Sequence, residues 1–230
     1  MKSSQIFSDH QKIPINSYDL KTVQHEQLTT LKHLHDFILQ SDQKYSIYAG
    51  TLIGSFWNDS LIPWDDDIDL LMNKKSLIEC FKPLWDSGFY KETFLDFKNP
   101  RNKGKPMIHS KNLRIVKILN HTYEMVKIAD WKLLKFKPYG IKAKTNKILK
   151  KYGAIGYGGL DVVSYEMQNG KPIENWIKNR ECFQINEDTE IDTIKLNQID
   201  CLRINRSEGE KYLDNIYGKK WRIKLHPDFK

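Results

Sequence analysis

Four aspartates fall within five positions of the chain, and no other segment is better equipped for chemistry. The run reads Pro63-Trp64-Asp65-Asp66-Asp67-Ile68-Asp69. Side chains alternate between the two faces of a strand, so a strand here would present Asp65, Asp67 and Asp69 on one face. Converging carboxylates repel and raise one another's pKa unless a cation lies between them. Because carboxylate oxygens favour Mg²⁺ or Mn²⁺ over zinc, the run predicts a divalent-metal site.

Two further segments could complete such a site. Gly50-Thr51 is a small-residue turn where backbone N–H groups can approach a phosphate without a Cβ clash. Asp161 is a lone acid inside the apolar strand Leu160–Val163 and a candidate third carboxylate. Metal-holding carboxylates, with another as base, suit phosphoryl transfer. An exposed acidic turn and a strand-end capping aspartate remain as alternatives, whereas Leu70 stands where a calcium-binding loop requires glycine.

The motifs around these residues resemble those of the LicD family, which includes bacterial phosphocholine transferases and fukutin-related ribitol-phosphate transferases. The matching segments are Gly50-Thr51-Leu52-Ile53-Gly54, Ile62-Pro63-Trp64-Asp65-Asp66-Asp67-Ile68-Asp69, Leu160-Asp161-Val162-Val163, and Tyr212–Gly218 with Trp221. One departure is Trp57, which stands where many members carry arginine. The resemblance implies an α/β (α+β) fold, a nucleotidyltransferase-like mixed sheet with flanking helices, in a single domain over residues 1–230.

The resemblance also implies an activity and a division of roles. The reaction would be metal-dependent transfer of a phospho-alcohol, phosphocholine or a polyol phosphate, from a CDP-linked donor to a hydroxyl of a cell-surface glycan or glycolipid such as lipooligosaccharide, capsule or teichoic acid. Asp67, Asp69 and Asp161 would hold Mg²⁺ or Mn²⁺, and Asp65 would support the site or accept a proton. The candidate donor-binding residues are Gly50, Thr51 and Trp64 in the motifs, together with Lys103 and Arg114, two cations that could bind a diphosphate.

Two other functions remain open. A glycosyltransferase with a DxD motif would use the acidic run to bind a nucleotide-sugar, but it would have no use for Gly50-Thr51 or Asp161. A basic nucleic-acid-binding module would use the lysines instead. The sequence predicts no nucleic-acid partner, because aromatic residues are not interleaved with the lysines as base stacking requires.

The apolar pattern predicts the elements that must position these motifs. It indicates helices over Ser17–Gln40, Ser76–Trp85 and Lys142–Tyr152, a helical turn over Leu52–Phe56, and a last helix from an N-cap at Ser207 to Tyr217. It indicates strands over Lys44–Tyr48, Asp65–Met72, Leu113–Leu119, Tyr123–Ile128 and Leu160–Val163, and a hairpin of Glu190–Leu196 with Ile199–Ile204.

The charge of the chain is concentrated in one segment. The 230 residues contain 37 Lys+Arg and 29 Asp+Glu, for a net charge of +8, and Lys132–Lys151 contains eight lysines and no acid. Without those lysines the two signs balance. We hypothesise that this segment, predicted as a helical insertion over about residues 132–153, attracts an anionic acceptor or makes peripheral contact with the membrane that bears it. A solvated surface is the alternative.

Several features predict a cytoplasmic protein, and Lys132–Lys151 extends this prediction to the inner face of the membrane. Cys80, Cys182 and Cys201 are too scattered for a disulfide framework or a zinc ribbon, and they indicate buried, reduced thiols. The longest uncharged stretch, 45–58, is too short and polar to span a bilayer. Asp9 interrupts the N-terminal segment before the apolar core of a signal peptide could form.

Overall fold

A mixed β-sheet and the helices around it make up the fold. The computed structural model describes residues 17–90, 113–128, 140–144, 159–177, 180–219 and 221–224. The helices are α1 (Ser17–Gln40), α2 (Ala49–Asn58), α3 (Lys74–Ser87), α4 (Arg206–Tyr217) and α5 (Trp221–Lys224). The strands are β1 (Ser46–Ile47), β2 (Ile68–Asn73), β3 (Phe89–Tyr90), β4 (Leu113–Ile118), β5 (His121–Ile128), β6 (Gly140–Lys144), β7 (Leu160–Gln168), β8 (Lys171–Glu174), β9 (Ile191–Leu196) and β10 (Ile199–Ile204).

The large sheet has the strand order β1-β2-β7-β6-β5-β4-β3, and β8 pairs with β7. Strands β2 and β7 are parallel neighbours, whereas every other pairing in this sheet's described part is antiparallel. The first six residues of β7 are buried, as the apolar run Leu160–Val163 predicts. The fold class is therefore confirmed: a mixed sheet flanked by helices.

Helix α1 covers the sheet because its apolar residues recur every three or four positions. Val23, Leu31, Leu34 and Ile38 are completely buried, and Gln27 on the same stripe is 2% exposed. The predicted bounds of this helix are confirmed. Full burial of each aliphatic side chain contributes roughly 1.5–3 kcal/mol, so the stripe rather than helix propensity holds α1 in place.

The predicted C-terminal hairpin and helix are also observed, with one correction. Strands β9 and β10 pair antiparallel about a turn at Asn197 and Gln198, both with positive φ. Helix α4 ends at Gly218 as predicted, but its N-cap is Asn205 and not Ser207. The Asn205 side chain accepts a hydrogen bond from the Glu208 backbone N–H at 3.1 Å. The N-cap is therefore the side-chain amide of Asn205, two residues before the predicted Ser207.

The acidic run differs from its prediction. The strand begins at Ile68, so Asp65, Asp66 and Asp67 lie in the loop before it. A turn closed by the Asp65 N–H on the Ile62 carbonyl starts this loop. Alternation along a strand therefore does not position these three carboxylates. The predicted helical turn at Leu52–Phe56 is likewise longer, because α2 begins at Ala49 and includes Gly50-Thr51 in its first turn.

The predicted lysine-rich helix is wrong where the structure describes it. Residues Gly140–Lys144 form β6, which pairs with β5 on one side and β7 on the other. Two-sided sheet pairing overrides the weak helical preference of the lysines. The rest of the predicted helix and insertion, at 132–139 and 145–153, lies outside the described residues, and the single-domain interpretation over 1–230 stays a prediction.

The predicted burial of the cysteines is confirmed, because Cys80, Cys182 and Cys201 are free and buried. Their reduced state in a reducing compartment stays a prediction. Within the ranges the structure describes, no helix combines the length and the apolar composition needed to cross a membrane.

Candidate active site

The parallel pairing of β2 and β7 brings two of the predicted acids side by side. Asp69 is directly opposite Asp161 in the register, and each is the second residue of its strand. Directly opposite residues of paired strands project from the same face. The two carboxylates, which are 92 positions apart in the sequence, therefore meet at the N-terminal ends of two neighbouring strands.

Asp67 completes a cluster of three acids. One carboxylate oxygen from each of Asp67, Asp69 and Asp161 lies within 4.8 Å of the others. Asp161 is 4% exposed, so its charge is largely removed from water. Three negative charges at this separation repel strongly in a partly buried setting. The cluster fits a hard divalent cation, because every donor atom in it is a carboxylate oxygen.

A second cluster overlaps the first at Asp67. Asp65, Asp66 and Asp67 also place one carboxylate oxygen each within 4.8 Å of the others. Burial raises the pKa of Asp65 well above its ordinary range, and the charges of Asp67 and Asp66 raise it further. Desolvation is the largest cause, and it would persist if a cation neutralised Asp67. A carboxyl whose pKa is raised in this way holds a proton more tightly than an exposed aspartate does.

The start of α2 lies against both clusters. A Cβ on Gly50 would be 2.5 Å from the Asp65 carboxylate oxygen Oδ2. Thr51, 1% exposed, accepts a hydrogen bond on its hydroxyl from the Asp69 backbone N–H at 3.0 Å. The Tyr48 N–H donates to the Asp69 carbonyl at 2.9 Å. Gly50-Thr51 thus adjoins the acids as part of a helix N-terminus, where first-turn N–H groups lack intrahelical partners.

The other predicted donor-binding residues lie in different places. Trp64 is 49% exposed beside the acidic loop. Arg114 is on β4, which is three strands away from β7 in the sheet, and its guanidinium lies 5.7 Å from the centre of the Trp85 ring. The structure therefore does not bring Arg114 to the acid clusters. Lys103 lies outside the described residues.

The sequence did not reveal the residues of α1 that bind the backbone of the acidic loop. Gln24 and Gln27 on α1 donate hydrogen bonds to its backbone carbonyls. The sequence does carry one sign of this role, because Gln27 is a polar residue in the otherwise apolar stripe of α1. Tyr217, predicted as the last residue of the C-terminal helix and not as a site residue, is also near the site. Burial is the main cause that raises its pKa, the Arg180 guanidinium opposes the rise, and the charges of Asp69 and Asp65 add to it.

Comparison with known proteins agrees with this geometry. The family model described as LicD/FKTN/FKRP, nucleotidyltransferase domain, matches residues 42–189, which is more than half of the chain and includes both acid-bearing strands. No curated protein matches the chain. The matched region contains the Gly-Thr helix start, the acidic loop and the strand of Asp161. On this match, the chain belongs to the LicD family.

Proposed function

We propose that this protein is a divalent-metal-dependent phosphotransferase that moves a phospho-alcohol, such as phosphocholine or a polyol phosphate, from a CDP-linked donor to a glycan hydroxyl. Family membership supports a phosphotransferase-like or glycan-modifying role in general. The observation that carries the finer proposal is the meeting of Asp67, Asp69 and Asp161 within 4.8 Å. A DxD motif alone would not require the third acid from a distant strand.

Asp67, Asp69 and Asp161 would hold Mg²⁺ or Mn²⁺. When bound, such an ion neutralises charge on the phosphates of the donor and on the departing nucleotide. The three side chains could converge on one ion, because Asp69 and Asp161 are on paired strands and Asp67 is two residues before Asp69. The ligand set contains no nitrogen or sulfur, which argues against a zinc site.

Asp65 is the proposed proton acceptor. An acceptor hydroxyl oxygen forms a bond to the transferred phosphorus, the bond from that phosphorus to the CMP oxygen breaks, and the hydroxyl proton moves to an Asp65 carboxylate oxygen. The raised pKa of Asp65 makes it a stronger base than an exposed aspartate. Gly50 leaves room for this carboxylate beside α2.

The donor's phosphates would lie between the acids and the start of α2. The N-terminal turn of a helix attracts anions through its free N–H groups and dipole. Tyr48 caps α2 without a side-chain hydrogen bond, so the cap does not use the first-turn N–H groups. Trp64, 49% exposed at the edge of the site, would cover the donor or the acceptor.

CMP release tests the proposal directly. Purified protein would be incubated with CDP-choline, CDP-ribitol or CDP-glycerol, glycan acceptors and Mg²⁺. We expect acceptor-dependent CMP release that EDTA abolishes and that Asp161→Asn reduces severely. Asp200→Asn is the matched control, because Asp200 is an exposed aspartate on β10 that belongs to neither cluster. No CMP release with any donor and several acceptors would count against the proposal.

The glycosyltransferase alternative predicts a different pattern. It needs a nucleotide-sugar donor, and it leaves Asp161 without a role. Full activity of Asp161→Ala with a nucleotide-sugar would favour it. The position of Asp161 in the acid cluster favours the phosphotransferase instead.

We also propose that Lys132–Lys151 attracts the anionic acceptor, or the membrane surface that bears it, to a cytoplasmic enzyme. Lys142 and Lys144 are on β6, which pairs with β7, the strand of Asp161. Replacing several lysines of this segment by glutamine should weaken acceptor use at moderate salt and leave metal binding intact. Unchanged acceptor use would assign the lysines to a solvated surface.

A further inference from the structure

Two glutamines of α1 hold the backbone on which the acids lie. Gln24 Nε2 donates to the carbonyls of Ile62 and Asp65, both at 2.9 Å. Gln27 Nε2 donates to the carbonyls of Asp66 and, at 3.2 Å, Gly159. Carbonyl oxygens only accept hydrogen bonds, so each glutamine must turn its NH₂ group toward the loop.

The two glutamines differ in what they connect. Both partners of Gln24 are in the acidic loop, so it ties that loop to α1. Gln27 joins the acidic loop to Gly159, the residue immediately before β7. The Gly159 carbonyl also accepts from the Ile68 N–H at 3.2 Å, at the start of β2. The backbone entering β2 and the backbone entering β7 therefore meet at one side-chain amide.

Gln27 is in an unusual place for an amide. It is 2% exposed, and within the described part of the chain its Oε1 atom has no hydrogen-bond partner. Burying an amide oxygen without a partner destabilises the folded state. Leucine would fit the apolar stripe of α1 without that penalty, but it could not join the two segments.

We propose that Gln27 is a positioning residue that sets the spacing between the Asp67 and Asp69 carboxylates and the Asp161 carboxylate. This inference rests on the metal site of the proposed function. The two ligands on one side of the site follow Asp66 in the chain, and the third is two residues after Gly159. A side chain bonded to both carbonyls limits how far the two sets can separate, as groups behind metal ligands do in other sites.

Three variants separate this role from general stabilisation. Gln27→Met keeps the length of the side chain and removes both donors. Gln24→Met removes the hydrogen bonds to the Ile62 and Asp65 carbonyls but leaves the bridge that Gln27 forms to Gly159. Thr30→Val is the matched control, because Thr30 is also 2% exposed on α1 and its hydroxyl donates within the helix to the Glu26 carbonyl. Each variant would be titrated with Mn²⁺, with free Mn²⁺ measured by electron paramagnetic resonance.

Gln27→Met is expected to raise the Mn²⁺ dissociation constant about 10- to 100-fold. Gln24→Met should raise this dissociation constant less. Thr30→Val should leave it unchanged, even if the substitution lowers the melting temperature. Hydrogen exchange gives a second readout without metal. The Ile68 N–H donates to the Gly159 carbonyl, which in Gln27→Met no longer accepts a hydrogen bond from residue 27. The Ile68 N–H should therefore exchange faster in Gln27→Met than in Thr30→Val.

The outcomes distinguish the two proposals. Tight Mn²⁺ binding by the wild type and equally tight binding by Gln27→Met overturns the positioning role and leaves the metal site standing. A wild type that binds no Mn²⁺ overturns the proposed metal site, and the positioning role with it. The exchange of Ile68 then shows whether the bridge itself exists, since equal rates in Gln27→Met and Thr30→Val would exclude it.

Discussion

A methyl group added at Gly50 should cost activity without costing stability. The new Cβ of Gly50→Ala would be 2.5 Å from Asp65 Oδ2, whereas ordinary contacts begin at 3.4 Å, so the carboxylate must move by about 0.9 Å. The other nearby atoms, both of Asp65, are at 3.5 and 3.9 Å and need not move. A displacement of about 1 Å at a reacting group can reduce the rate roughly 100-fold, or about 2.7 kcal/mol of transition-state stabilisation.

The stability of Gly50→Ala should be close to that of the wild type. Gly50 is in α2 and does not have a positive φ, so alanine fits the backbone and favours the helix by up to about 1 kcal/mol. Only the end of a flexible side chain is displaced. Gly54→Ala on the same helix is the contrasting control, because its Cβ would be 2.3 Å from the Ser60 carbonyl oxygen. Backbone cannot easily move, so this variant should lose about 1–3 kcal/mol of stability.

The assay combines acceptor-dependent CMP release with thermal unfolding, and a double-mutant cycle identifies the cause. If Gly50→Ala acts through Asp65, adding it to Asp65→Ala should reduce the rate no further. Wild-type activity in Gly50→Ala would refute the reasoning. So would a second 100-fold loss on the Asp65→Ala background, because the methyl group would then be acting on something else.

Three other predictions concern the fold. Asn205→Ala should lower the free energy of unfolding by about 1 kcal/mol and Ser207→Ala by far less in denaturant titrations, because Asn205 provides the N-cap hydrogen bond of α4. Burial alone would raise the pKa of Glu210, but hydrogen bonds from two arginines outweigh it and lower that pKa below the ordinary 4.5. The hydrogen bonds that lower this pKa stabilise the folded state above pH 4.5, and their contribution is lost as the pH falls through the folded-state pKa. Glu210→Gln should therefore lower the free energy of unfolding by up to about 1 kcal/mol at pH 7 and leave it unchanged in strong acid. The three cysteines should react with a disulfide reagent at pH 8 only after unfolding, because burial raises their pKa, in Cys80 to about 12.

The sequence was sufficient to find the acids but not to explain how they meet. Asp67 and Asp69 stand out because four aspartates fall within five positions, and Asp161 stands out because it is a lone acid in an apolar strand. Their meeting depends on the parallel register of β2 with β7, a pairing between strands 92 positions apart that no local pattern encodes. Alternation suggested a single acidic strand, whereas the turn at Ile62 and the hydrogen bonds from Gln24 keep Asp65 in a loop.

Local preference failed where tertiary pairing decides the conformation. Lys142 and Lys144 favour a helix, yet neighbours on both sides make this segment a strand. Gln27 follows the same spacing as the apolar residues of α1, and only the folded structure shows the two carbonyls to which it donates. Patterns in the sequence report burial and charge, while the partner of a buried polar group depends on segments far away in the chain.

The one parallel pairing among the strands that the structure describes also bears on how the protein folds. Strands β4 and β5 are joined by two residues, and β3, β4, β5, β6 and β7 are consecutive neighbours in the sheet, so their pairings close comparatively short loops. The pairing of β7 with β2 closes a much longer one, and the entropy lost in closure grows with loop length. The acid cluster should therefore assemble after the antiparallel strands, and the appearance of Mn²⁺ affinity during refolding would time that last pairing.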